Sequence, residues 1–390
     1  MVATSAHGWH DRAVTAVATS SREQLLDRVR EALESERVDQ ALLSHPETVA
    51  HLSGYSDPAE DWPVANPFVG GPSLLAVTPS SATLAIADFY AAHAAAASVP
   101  HVAYRSYDVA SPPDPAGELA RVLDDLGLEP GRLGVEAGFL PTRVADALRA
   151  RSFELVAVDE LVIEARRRKL PVEIEAIRRA SELADVVQQA VKENAEPGIG
   201  EAELAGLAQA AMYRAAGRRV PAILFVTAGE RTGDGGAEAS GNRLAPGDLV
   251  LTDTSPWLEG AWSDTASAVV VGEPTREQQR LFDAIRRALE LAIDLCRPGA
   301  IASDVDRKVR ESLADWDGVY AHHTGHGIGA SWSEEPRIVP YNDRRIEEEM
   351  VIAVEPGVYR PGWGGIRLED VFVVRAGGNE LLTHYEHGLS

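Results

Sequence analysis

Two stretches of this chain place acidic residues inside segments that otherwise have the pattern of buried β-strands. The first is L-V-L-T-D-T-S-P-W-L-E-G-A-W-S-D-T-A-S-A-V-V-V, residues 249–271, whose apolar, β-branched ends flank P-W-L-E-G. This pattern is typical of an antiparallel hairpin. A bend centred between Leu258 and Glu259 predicts that Asp253 lies directly opposite Asp264, with Cβ atoms about 4.5–5.5 Å apart. Because two aspartates in these positions repel each other, the hairpin requires a counter-charge.

A second hairpin repeats this arrangement in M-V-I-A-V-E-P-G-V-Y-R-P-G-W-G-G-I-R-L-E-D-V-F-V-V, residues 350–374. A bend centred on Gly362 predicts that Glu355 lies opposite Glu369. A single acid in a strand is ordinarily a solvent-facing residue. Two hairpins that each present an opposed pair favour a cation site, since two divalent ions cancel the formal charge of four carboxylates. His326, between two glycines in T-G-H-G-I-G, can supply a nitrogen ligand because glycine lets backbone segments approach closely.

The ligand types restrict the choice of metal. Oxygen-rich sites suit harder ions, so Mn²⁺ is the first expectation, and a nitrogen ligand also admits Zn, Co or Fe. Paired ions about 3.5–4 Å apart are a known arrangement for hydrolysis. The two hairpins therefore predict a dinuclear, metal-dependent hydrolase.

The composition argues against several other classes of protein. A formal net charge of -23 is unfavourable for nucleic-acid binding, which requires clustered Lys and Arg. No uncharged apolar run approaches the roughly 20 residues of a membrane helix, and the N-terminus lacks the apolar core of a signal peptide. The single cysteine, Cys296, excludes an intrachain disulfide. We therefore expect a cytoplasmic protein with neither nucleic acid nor a membrane as partner.

Hydrophobic periodicity divides the chain into a mixed α/β part and a part that begins with a long amphipathic helix after Pro171. The first part is predicted to contain helices 22–36, 116–126 and 141–151, a short helix in H-P-E-T-V-A-H-L-S-G-Y, strands in Q-A-L-L-S and L-G-V-E, and a hairpin across P-S-S. The second is predicted to contain helices 173–195, 201–216, 275–296 and 302–313 and strands 222–227, 248–254, 263–271, 350–359 and 365–374. The predicted organisation is a leader over 1–20, a candidate for disorder, and domains over 21–162 and 163–390.

The motifs resemble those of the creatinase, prolidase and aminopeptidase P family of pita-bread metallohydrolases. The matching segments are G-D-L-V-L-T-D, S-D-T eleven residues after its last Asp, H-H-T-G-H-G-I-G, V-E-P-G-V-Y and G-I-R-L-E-D. S-H-P-E-T-V-A-H-L-S-G-Y resembles part of the family's first domain. The resemblance implies an α/β (α+β) architecture: a creatinase-like mixed α/β N-terminal domain, then a pita-bread catalytic domain with pseudo-symmetric halves. It also implies a homodimer.

The resemblance assigns roles to individual residues. The five implied metal ligands are Asp253, Asp264, His326, Glu355 and Glu369. Glu355 is also the implied proton shuttle. His322, four residues before the ligand histidine, and Arg367, in R-x-E, match two further catalytic residues.

Two histidines of the family's peptidases are missing here. The peptidases carry V-H-E-x-P where this chain has W-S-E-E-P, so Ser333 replaces a histidine that contacts the substrate or its tetrahedral intermediate. A second supporting histidine normally lies about seventeen residues before the first metal aspartate, which is Gly236 here. Loss of one stabilising donor commonly lowers the rate by ~10²–10³. The candidate substrate-binding residues nearby are Ser333, Glu334, Trp332 and Tyr359.

The leading hypothesis is a hydrolase of amide or peptide C–N bonds, similar to Xaa-Pro aminopeptidases and prolidases, with a small peptide as substrate. One alternative is a non-peptidase relative that hydrolyses a small-molecule amide, as creatinase and ectoine hydrolase do. Creatinase has discarded the metal ligands, whereas this chain keeps all five. A less favoured alternative is a non-catalytic, peptide-binding relative.

Overall fold

The computed structural model describes residues 19–55, 71–94, 97–105, 110–111 and 114–390. These residues form two compact units that divide between Arg166 and Arg167; the sequence prediction places the division between 162 and 163. The predicted leader lies outside the described residues, except that Thr19 and Ser20 begin the first helix. Among the described helices, none combines the length and apolar character that crossing a membrane demands.

The first unit is built on a six-stranded mixed sheet. Its strands are β1 (Ala41–Leu43), β2 (Leu74–Val77), β3 (Ala82–Ala87), β4 (His101–Tyr104), β5 (Arg132–Val135) and β6 (Glu154–Ala157). Its helices are α1 (Thr19–Glu34), α2 (Pro46–Ser53), α3 (Ala91–Ala94), α4 (Pro115–Asp125), α5 (Thr142–Arg149) and α6 (Asp159–Arg166). The strand order is β4-β3-β2-β1-β5-β6, in which β2 is antiparallel to both of its neighbours. The hairpin predicted across P-S-S is confirmed as β2–β3, whereas β4, β6 and α6 have no counterpart in the sequence prediction.

The S-H-P-E-T motif of this unit connects β1 to α2. Pro46 stands at the first position of the helix, where its missing N–H costs nothing. The buried carboxylate of Glu136, just after β5, accepts the backbone N–H groups of Ser44 and His45 and the hydroxyl of Thr48. The motif therefore fixes the start of α2 against the end of the parallel strand β5.

The second unit contains longer helices and several smaller sheets. Its helices are α7 (Pro171–Asn194), α8 (Glu201–Ala216), α9 (Arg276–Leu295) and α10 (Ala302–Ser312). Its strands are β7 (Ala222–Ala228), β8 (Leu249–Leu258), β9 (Ala261–Trp262), β10 (Thr265–Val270), β11 (Gly325–Gly327), β12 (Glu334–Ile338), β13 (Val351–Val354), β14 (Gly357–Arg360), β15 (Gly364–Arg367), β16 (Asp370–Val373) and β17 (Glu380–Leu381). The sheets run β10-β8-β7, with β9 beside β8, then β12-β11-β13-β16-β17, and β14-β15. The helix predicted after Pro171 is confirmed as α7.

The second unit consists of two halves that are built alike. In each half a long helix ends in a Pro-Gly turn, E-P-G-I-G after α7 and R-P-G-A-I after α9. The turn glycines, Gly198 and Gly299, have φ of 92° and 89°, a conformation that glycine adopts without strain. Gly198 N–H donates to the Leu244 carbonyl at 2.7 Å, and Gly299 N–H donates to the Ile346 carbonyl at 2.8 Å. This repeated hydrogen bonding agrees with the pseudo-symmetry that the family resemblance implies.

Each half has its own apolar core. In the first half, α7 and α8 pack around Val187, Leu204 and Val250. In the second half, α9 and α10 pack around residues such as Ile285 and Phe372. Strands β13 and β16 are covered on both faces, because α9 packs on one face and Ile174 and Ile177 of α7 pack on the other. Of the acids described below, Asp253 lies within β8 and the other three lie in junctions between strands.

The register predicted for the first acidic hairpin is wrong. Asp253 in β8 lies opposite Ala266 in β10, and not opposite Asp264. The two-residue turn is Glu259-Gly260, with φ of 55° and 83°, so both residues have the left-handed conformation of a type I′ turn. Since Asp264 is two residues from Ala266, it still shares a face of the hairpin with Asp253, as a diagonal neighbour.

The register predicted for the second acidic hairpin is confirmed. β13 pairs with β16, and β14 with β15, in one register that places Glu355 opposite Glu369. The two long strands predicted here are each interrupted at the acid. Glu355 N–H donates to the Thr324 carbonyl at 2.8 Å, and Glu369 N–H donates to the Ala266 carbonyl at 2.9 Å. Each interruption therefore ties an acid to a different part of the unit.

Candidate metal centre

Acidic and histidine side chains from both halves of the second unit come together in its interior. Two groups have ligand atoms within 4.8 Å of one another. The first group is Asp264, His326 and Glu369, and the second is His323, His326 and Glu355. Four of the five metal ligands implied by the family resemblance therefore lie in these groups.

His326 presents a free nitrogen to the acids. Its Nδ1 is 2.9 Å from the Gly327 carbonyl, which assigns the ring hydrogen to Nδ1 and leaves the lone pair on Nε2. Nε2 is buried, has no hydrogen-bond partner among the described residues, and lies 3.8 Å from Asp264 Oδ2 and 3.9 Å from Glu355 Oε1. Burial lowers the pKa of His326 to about 4, so the imidazole is neutral, the form that binds metal.

The glycines on either side of His326 are required by close packing of the strands. A Cβ at Gly325 would lie 2.2 Å from the Ala353 carbonyl oxygen, and one at Gly327 would lie 2.6 Å from the Glu335 carbonyl oxygen. A larger residue at either position would push β11 away from its neighbours. The bare backbone of T-G-H-G-I-G thus places the imidazole within reach of acids on adjoining segments.

Asp264 is held in place by two donors. Extending the β8–β10 register puts Ser255 opposite Asp264, and Ser255 Oγ donates to Oδ1 at 2.9 Å. The indole N–H of Trp332 donates to Oδ2 at 2.7 Å. Burial, together with the charges of Asp253 and Glu355, raises the pKa of Asp264 well above its ordinary value. The pair of donors orients this carboxylate without neutralising it.

Glu369 has a buried oxygen, Oε1, without a hydrogen-bond partner in the described part of the chain. Burial raises the pKa of Glu369 well above its ordinary value, and the charges of Asp264 and Glu355 raise it further. A carboxylate in this environment is stabilised in its ionised form by a cation.

Asp253 differs from the other predicted ligands, because its carboxylate is ion-paired with Arg367. Arg367 also donates to the Tyr359 hydroxyl at 2.9 Å and to the Gly235 carbonyl at 2.7 Å. Burial raises the pKa of Asp253, and the adjacent guanidinium opposes that effect. Asp253 is in neither group of candidate ligand atoms, so its metal-binding role stays a prediction.

Glu355 is surrounded by hydrogen-bond donors and positive charge. His323 Nε2 lies 2.6 Å from Oε1, and His322 Nδ1 lies 3.6 Å from Oε2. Burial acts to raise the pKa of Glu355, but the hydrogen bond from His323 and the positive charge of Arg367 help to lower it to about 2. Glu355 is therefore ionised. The sequence prediction names His322 but not His323, although H-H-T-G-H contains both.

The two other predicted catalytic residues meet at Tyr359. His322 Nδ1 donates to the His323 carbonyl at 2.8 Å, so its Nε2 accepts from the Tyr359 hydroxyl at 3.0 Å. The same hydroxyl accepts from Arg367, which completes a chain from Arg367 through Tyr359 to His322. Burial raises the pKa of Tyr359 to about 12, so the phenol keeps its hydrogen.

The predicted substrate-binding residues lie in different environments. Tyr359 and Trp332 adjoin the acids. Trp332 is 38% exposed, and its ring centroid lies 5.5 Å from that of His326. Ser333, next to Trp332, is half-buried. Glu334 is directed into the interior, where its Oε2 is 2.8 Å from Lys169 Nζ and both side chains are only 2% exposed. The substrate-binding role of Glu334 stays a prediction, because the contacts described for its carboxylate are with Lys169 and the backbone N–H of Ser331.

Gly236 follows the 3-10 helix Gly229–Asp234. The adjacent Gly235 carbonyl accepts from Arg367, so this segment adjoins the predicted catalytic residues. A Cβ built on Gly236 meets nothing within 4 Å. The position therefore has room for a Cβ, so close packing does not require glycine there.

The side chains present fit divalent cations. Ligand atoms that bind one ion at about 2.1 Å lie no more than about 4.2 Å apart. The distances from His326 Nε2 to Asp264 Oδ2 and Glu355 Oε1 satisfy that limit. The unpartnered atoms His326 Nε2 and Glu369 Oε1 are a nitrogen and an oxygen of the kinds that such ions bind.

The sequence was compared with models of known protein families and with known proteins. The model of metallopeptidase family M24 matches residues 175–376, and the model of the creatinase/prolidase N-terminal domain matches residues 26–168. An Xaa-Pro dipeptidase of Pyrococcus horikoshii is 28% identical over 367 residues, which cover 93% of this chain and 97% of that protein.

Solved structures of related proteins have the same fold. A prolidase from Pyrococcus horikoshii OT3 has a TM-score of 0.78 and 25% identity, over 94% of this chain and 100% of that one. The dipeptidase PepE from Mycobacterium ulcerans has a TM-score of 0.74 and 26% identity, over 95% of this chain and 98% of that one. The architecture and the resemblance predicted from the motifs are confirmed. The chain belongs to metallopeptidase family M24.

Proposed function

We propose that this protein is a metal-dependent hydrolase of the peptide bond in small Xaa-Pro peptides. One observation carries the proposal: His326 Nε2 and Glu369 Oε1 are buried without hydrogen-bond partners in the described structure, in one group with Asp264. A buried set of this kind is stabilised by a cation. The substrate class is supported by the Xaa-Pro dipeptidase that is similar over nearly the whole chain.

The residues of this chain supply proton transfer and positioning. When bound, divalent ions polarise a scissile carbonyl and lower the pKa of water. Glu355 is ionised, so it can take a proton from the attacking water and return it to the leaving nitrogen. Arg367 is ion-paired with Asp253 and, through the Tyr359 hydroxyl, fixes the His322 ring beside Glu355. The proton acceptor is therefore held from several sides.

Ser333 and Gly236 set an upper limit on the rate. Each stands where the family's peptidases carry a histidine, and one missing donor to the developing oxyanion commonly costs ~10²–10³ in rate. We therefore propose turnover of Xaa-Pro peptides that is slow for the family. The same two residues favour, as a second candidate, a substrate that needs neither histidine, namely a small-molecule amide.

The test combines a substrate screen with two restoring substitutions. Protein stripped with a chelator is reloaded with Mn²⁺, Zn²⁺ or Co²⁺ and assayed on Xaa-Pro dipeptides and on small cyclic or acylated amides. Ser333→His, Gly236→His and the double variant are assayed in parallel, with Glu355→Gln as the inactive control for contaminating peptidases. We expect metal-dependent cleavage of Xaa-Pro dipeptides and a higher kcat in the restored variants. Turnover of a small amide alone, with no gain in Ser333→His, favours the second candidate, and no turnover with any ion contradicts both.

The proposal includes Mn²⁺ as the native ion, a homodimer and a cytoplasmic location. The carboxylate-rich ligand set supports Mn²⁺, and the family resemblance supports the dimer. The sole cysteine, buried and unpaired with another cysteine, is compatible with a reducing compartment. Metal analysis of protein purified without added metal and the mass in solution test the first two points. Mn²⁺ below the content of other divalent ions, or the mass of a single chain, contradicts the corresponding point.

A further inference from the structure

A buried acid outside the metal centre accepts several hydrogen bonds from one loop. Glu201 is the first residue of α8, and it is fully buried. Its partners lie in residues 228–242, which we call the β7–β8 loop. Its carboxylate accepts from five groups: the backbone N–H of Ala228 at 2.8 Å, Arg231 Nε at 3.1 Å, the backbone N–H and hydroxyl of Ser240 at 2.9 and 2.7 Å, and Asn242 Nδ2 at 3.0 Å. One side chain thus gathers both ends of the loop.

We infer that Glu201 is a positioning residue for the proposed hydrolysis, because it fixes the β7–β8 loop and, through that loop, the guanidinium of Arg367. This inference rests on the proposed function, in which Arg367 is ion-paired with Asp253 and fixes the His322 ring. The hydrogen bonds described for the Glu201 side chain reach the loop and none of the candidate metal ligands. Its effect on the reaction is therefore indirect.

The β7–β8 loop rests on β15, the strand that ends in Arg367. The hydroxyl of Thr232 accepts the backbone N–H of Gly365 at 2.7 Å, and the Gly235 carbonyl accepts from Arg367 at 2.7 Å. A Cβ at Gly365 would lie 2.8 Å from the Thr232 carbonyl oxygen, so the loop and the strand are in direct backbone contact. Displacement of the loop therefore displaces the carbonyl that holds the guanidinium of Arg367.

The other half of the unit shows that the start of this helix forms without an acid. Glu201 N–H donates to the Asn242 carbonyl at 2.9 Å, and Ala302 N–H, at the start of α10, donates to the Arg344 carbonyl at 3.0 Å. Ala302 is the equivalent residue in the second half and is also fully buried, but it has no carboxylate. The repeated helix start and its backbone hydrogen bond therefore need only alanine, and the carboxylate of Glu201 serves the loop.

The ionised form of Glu201 is the one that holds the loop. Burial acts to raise the pKa of Glu201, but hydrogen bonds from Ser240, Asn242 and Ala228 lower it below its ordinary value. Both carboxylate oxygens accept hydrogen bonds, and bonds to a charged acceptor are stronger than bonds to a neutral one. Glutamine has a similar size but only one accepting oxygen. Glu201→Gln is therefore expected to release part of the loop while keeping the volume of the side chain.

The first experiment compares Glu201→Gln with Glu203→Gln, a matched control at an exposed glutamate in the same turn of α8. We measure kcat and KM for alanyl-proline with saturating Mn²⁺, at a temperature at which circular dichroism shows each variant folded. In Glu201→Gln kcat is expected to fall by about 10- to 100-fold, the effect of a slightly misplaced catalytic group, while KM changes less. Glu203→Gln is expected to match the wild type. If Glu201 only stabilises the fold, the thermal midpoint falls but kcat of the folded variant does not, and that result overturns the inference.

A double variant tests whether Glu201 acts through the loop. Thr232→Val removes the hydroxyl that joins the loop to β15, at nearly constant side-chain volume. Residues that act as one unit have non-additive effects on the rate. Glu201→Gln is therefore expected to lower kcat much less in the Thr232→Val background than in the wild type. Independent effects, in which the two fold-changes multiply, overturn the inference.

Hydrogen exchange provides a measurement that needs no substrate. In the presence of Mn²⁺, the amides of 228–242 and 364–367 are expected to exchange faster in Glu201→Gln than in the wild type or Glu203→Gln. Ser240→Ala, at a half-buried position, removes one donor and is expected to show a smaller change in exchange and kcat, even if Glu201→Gln does not fold. Wild-type exchange in these variants overturns the inference. Wild type that cleaves no peptide contradicts the proposed function, whereas the exchange still decides whether Glu201 fixes the loop.

Discussion

The ion pair between Lys169 and Glu334 offers the sharpest test of how the structure supports its metal centre. Both side chains are 2% exposed, and their charged atoms are 2.8 Å apart. Glu334 Oε1 also accepts the backbone N–H of Ser331 at 3.0 Å. Trp332, which donates to Asp264, is between Ser331 and Glu334 in sequence. The pair therefore anchors both ends of the short loop that carries this donor.

Lys169→Met removes the positive charge and leaves Glu334 buried without it. Breaking a buried pair in this way commonly costs about 3–5 kcal/mol. With an m-value of about 3 kcal/mol per M of urea, the unfolding midpoint falls by about 1–2 M. In the double variant Lys169→Met/Glu334→Gln no unpaired charge remains, and the Gln carbonyl can still accept from Ser331. The double variant is therefore expected to recover about 2 kcal/mol of the loss.

The assay is urea unfolding followed by tryptophan fluorescence, because five tryptophans lie in the described part of the second unit. These are Trp257, Trp262, Trp316, Trp332 and Trp363. Lys308→Met, at an exposed lysine of α10, is the matched control and is expected to shift the midpoint little. KM for an Xaa-Pro dipeptide is measured on each variant under conditions in which it is folded.

The alternative is that Glu334 contacts substrate, as the sequence predicts. In that case Lys169→Met destabilises no more than Lys308→Met, and Glu334→Gln raises KM. That combination of results would refute the anchoring role. A loss of stability that the double variant fails to recover would also refute it, because the cost would then not come from the unpaired charge.

Three further predictions concern the metal centre and the first unit. Trp332→Phe removes the indole N–H from Asp264 but keeps an aromatic ring, so metal affinity measured by chelator competition is expected to fall about 10–100-fold, and unchanged affinity contradicts that role. Chelation is expected to lower the thermal midpoint, and Mn²⁺ or Zn²⁺ to restore it, since an ion at 100 times its Kd stabilises by about 2.7 kcal/mol; an unaffected midpoint counts against metal binding. Hydrogen bonds from Arg105, with Arg121 nearby, lower the pKa of Glu118 from 4.5 to about 2. The stability that this carboxylate contributes is present above pH 4.5 and is lost as the pH falls towards 2. Over that range the urea midpoint should fall more steeply in wild type than in Glu118→Gln, and equal slopes contradict the assignment.

The two hairpins show how far periodicity predicts register. In the second hairpin the bend at Gly362 follows from the sequence, and the opposition of Glu355 and Glu369 is confirmed. In the first, the prediction takes P-W-L-E-G as the turn, but β8 continues to Leu258 and the chain reverses at Glu259-Gly260. A type I′ turn needs positive φ at both positions, and Glu-Gly lacks the Asn-Gly or Asp-Gly signal of that turn.

Contacts between distant residues account for what the sequence could not predict. Glu334 looks like a site residue because it adjoins Ser333, yet its partner Lys169 is 165 positions away. His323 acquires its contact with Glu355 only when β11 pairs with β13. Neither relation has a periodic signature, whereas the glycines beside His326 are visible in the sequence because they permit the close approach of strands.

The four acids of the two hairpins differ in how much positive charge or hydrogen bonding the protein itself supplies to them. Two of the four acids have partners within the protein: Asp253 is ion-paired with Arg367, and Glu355 is in contact with His323. Asp264 has only neutral donors, Ser255 and Trp332, and Glu369 keeps a buried oxygen unpartnered in the described structure. A cation therefore gains most beside Asp264, His326 and Glu369, where no Lys or Arg among the described residues forms an ion pair with either acid. An ion that binds Glu355 competes with the hydrogen bond from His323, so we expect two ions to bind with different affinities, the tighter one beside Asp264, His326 and Glu369.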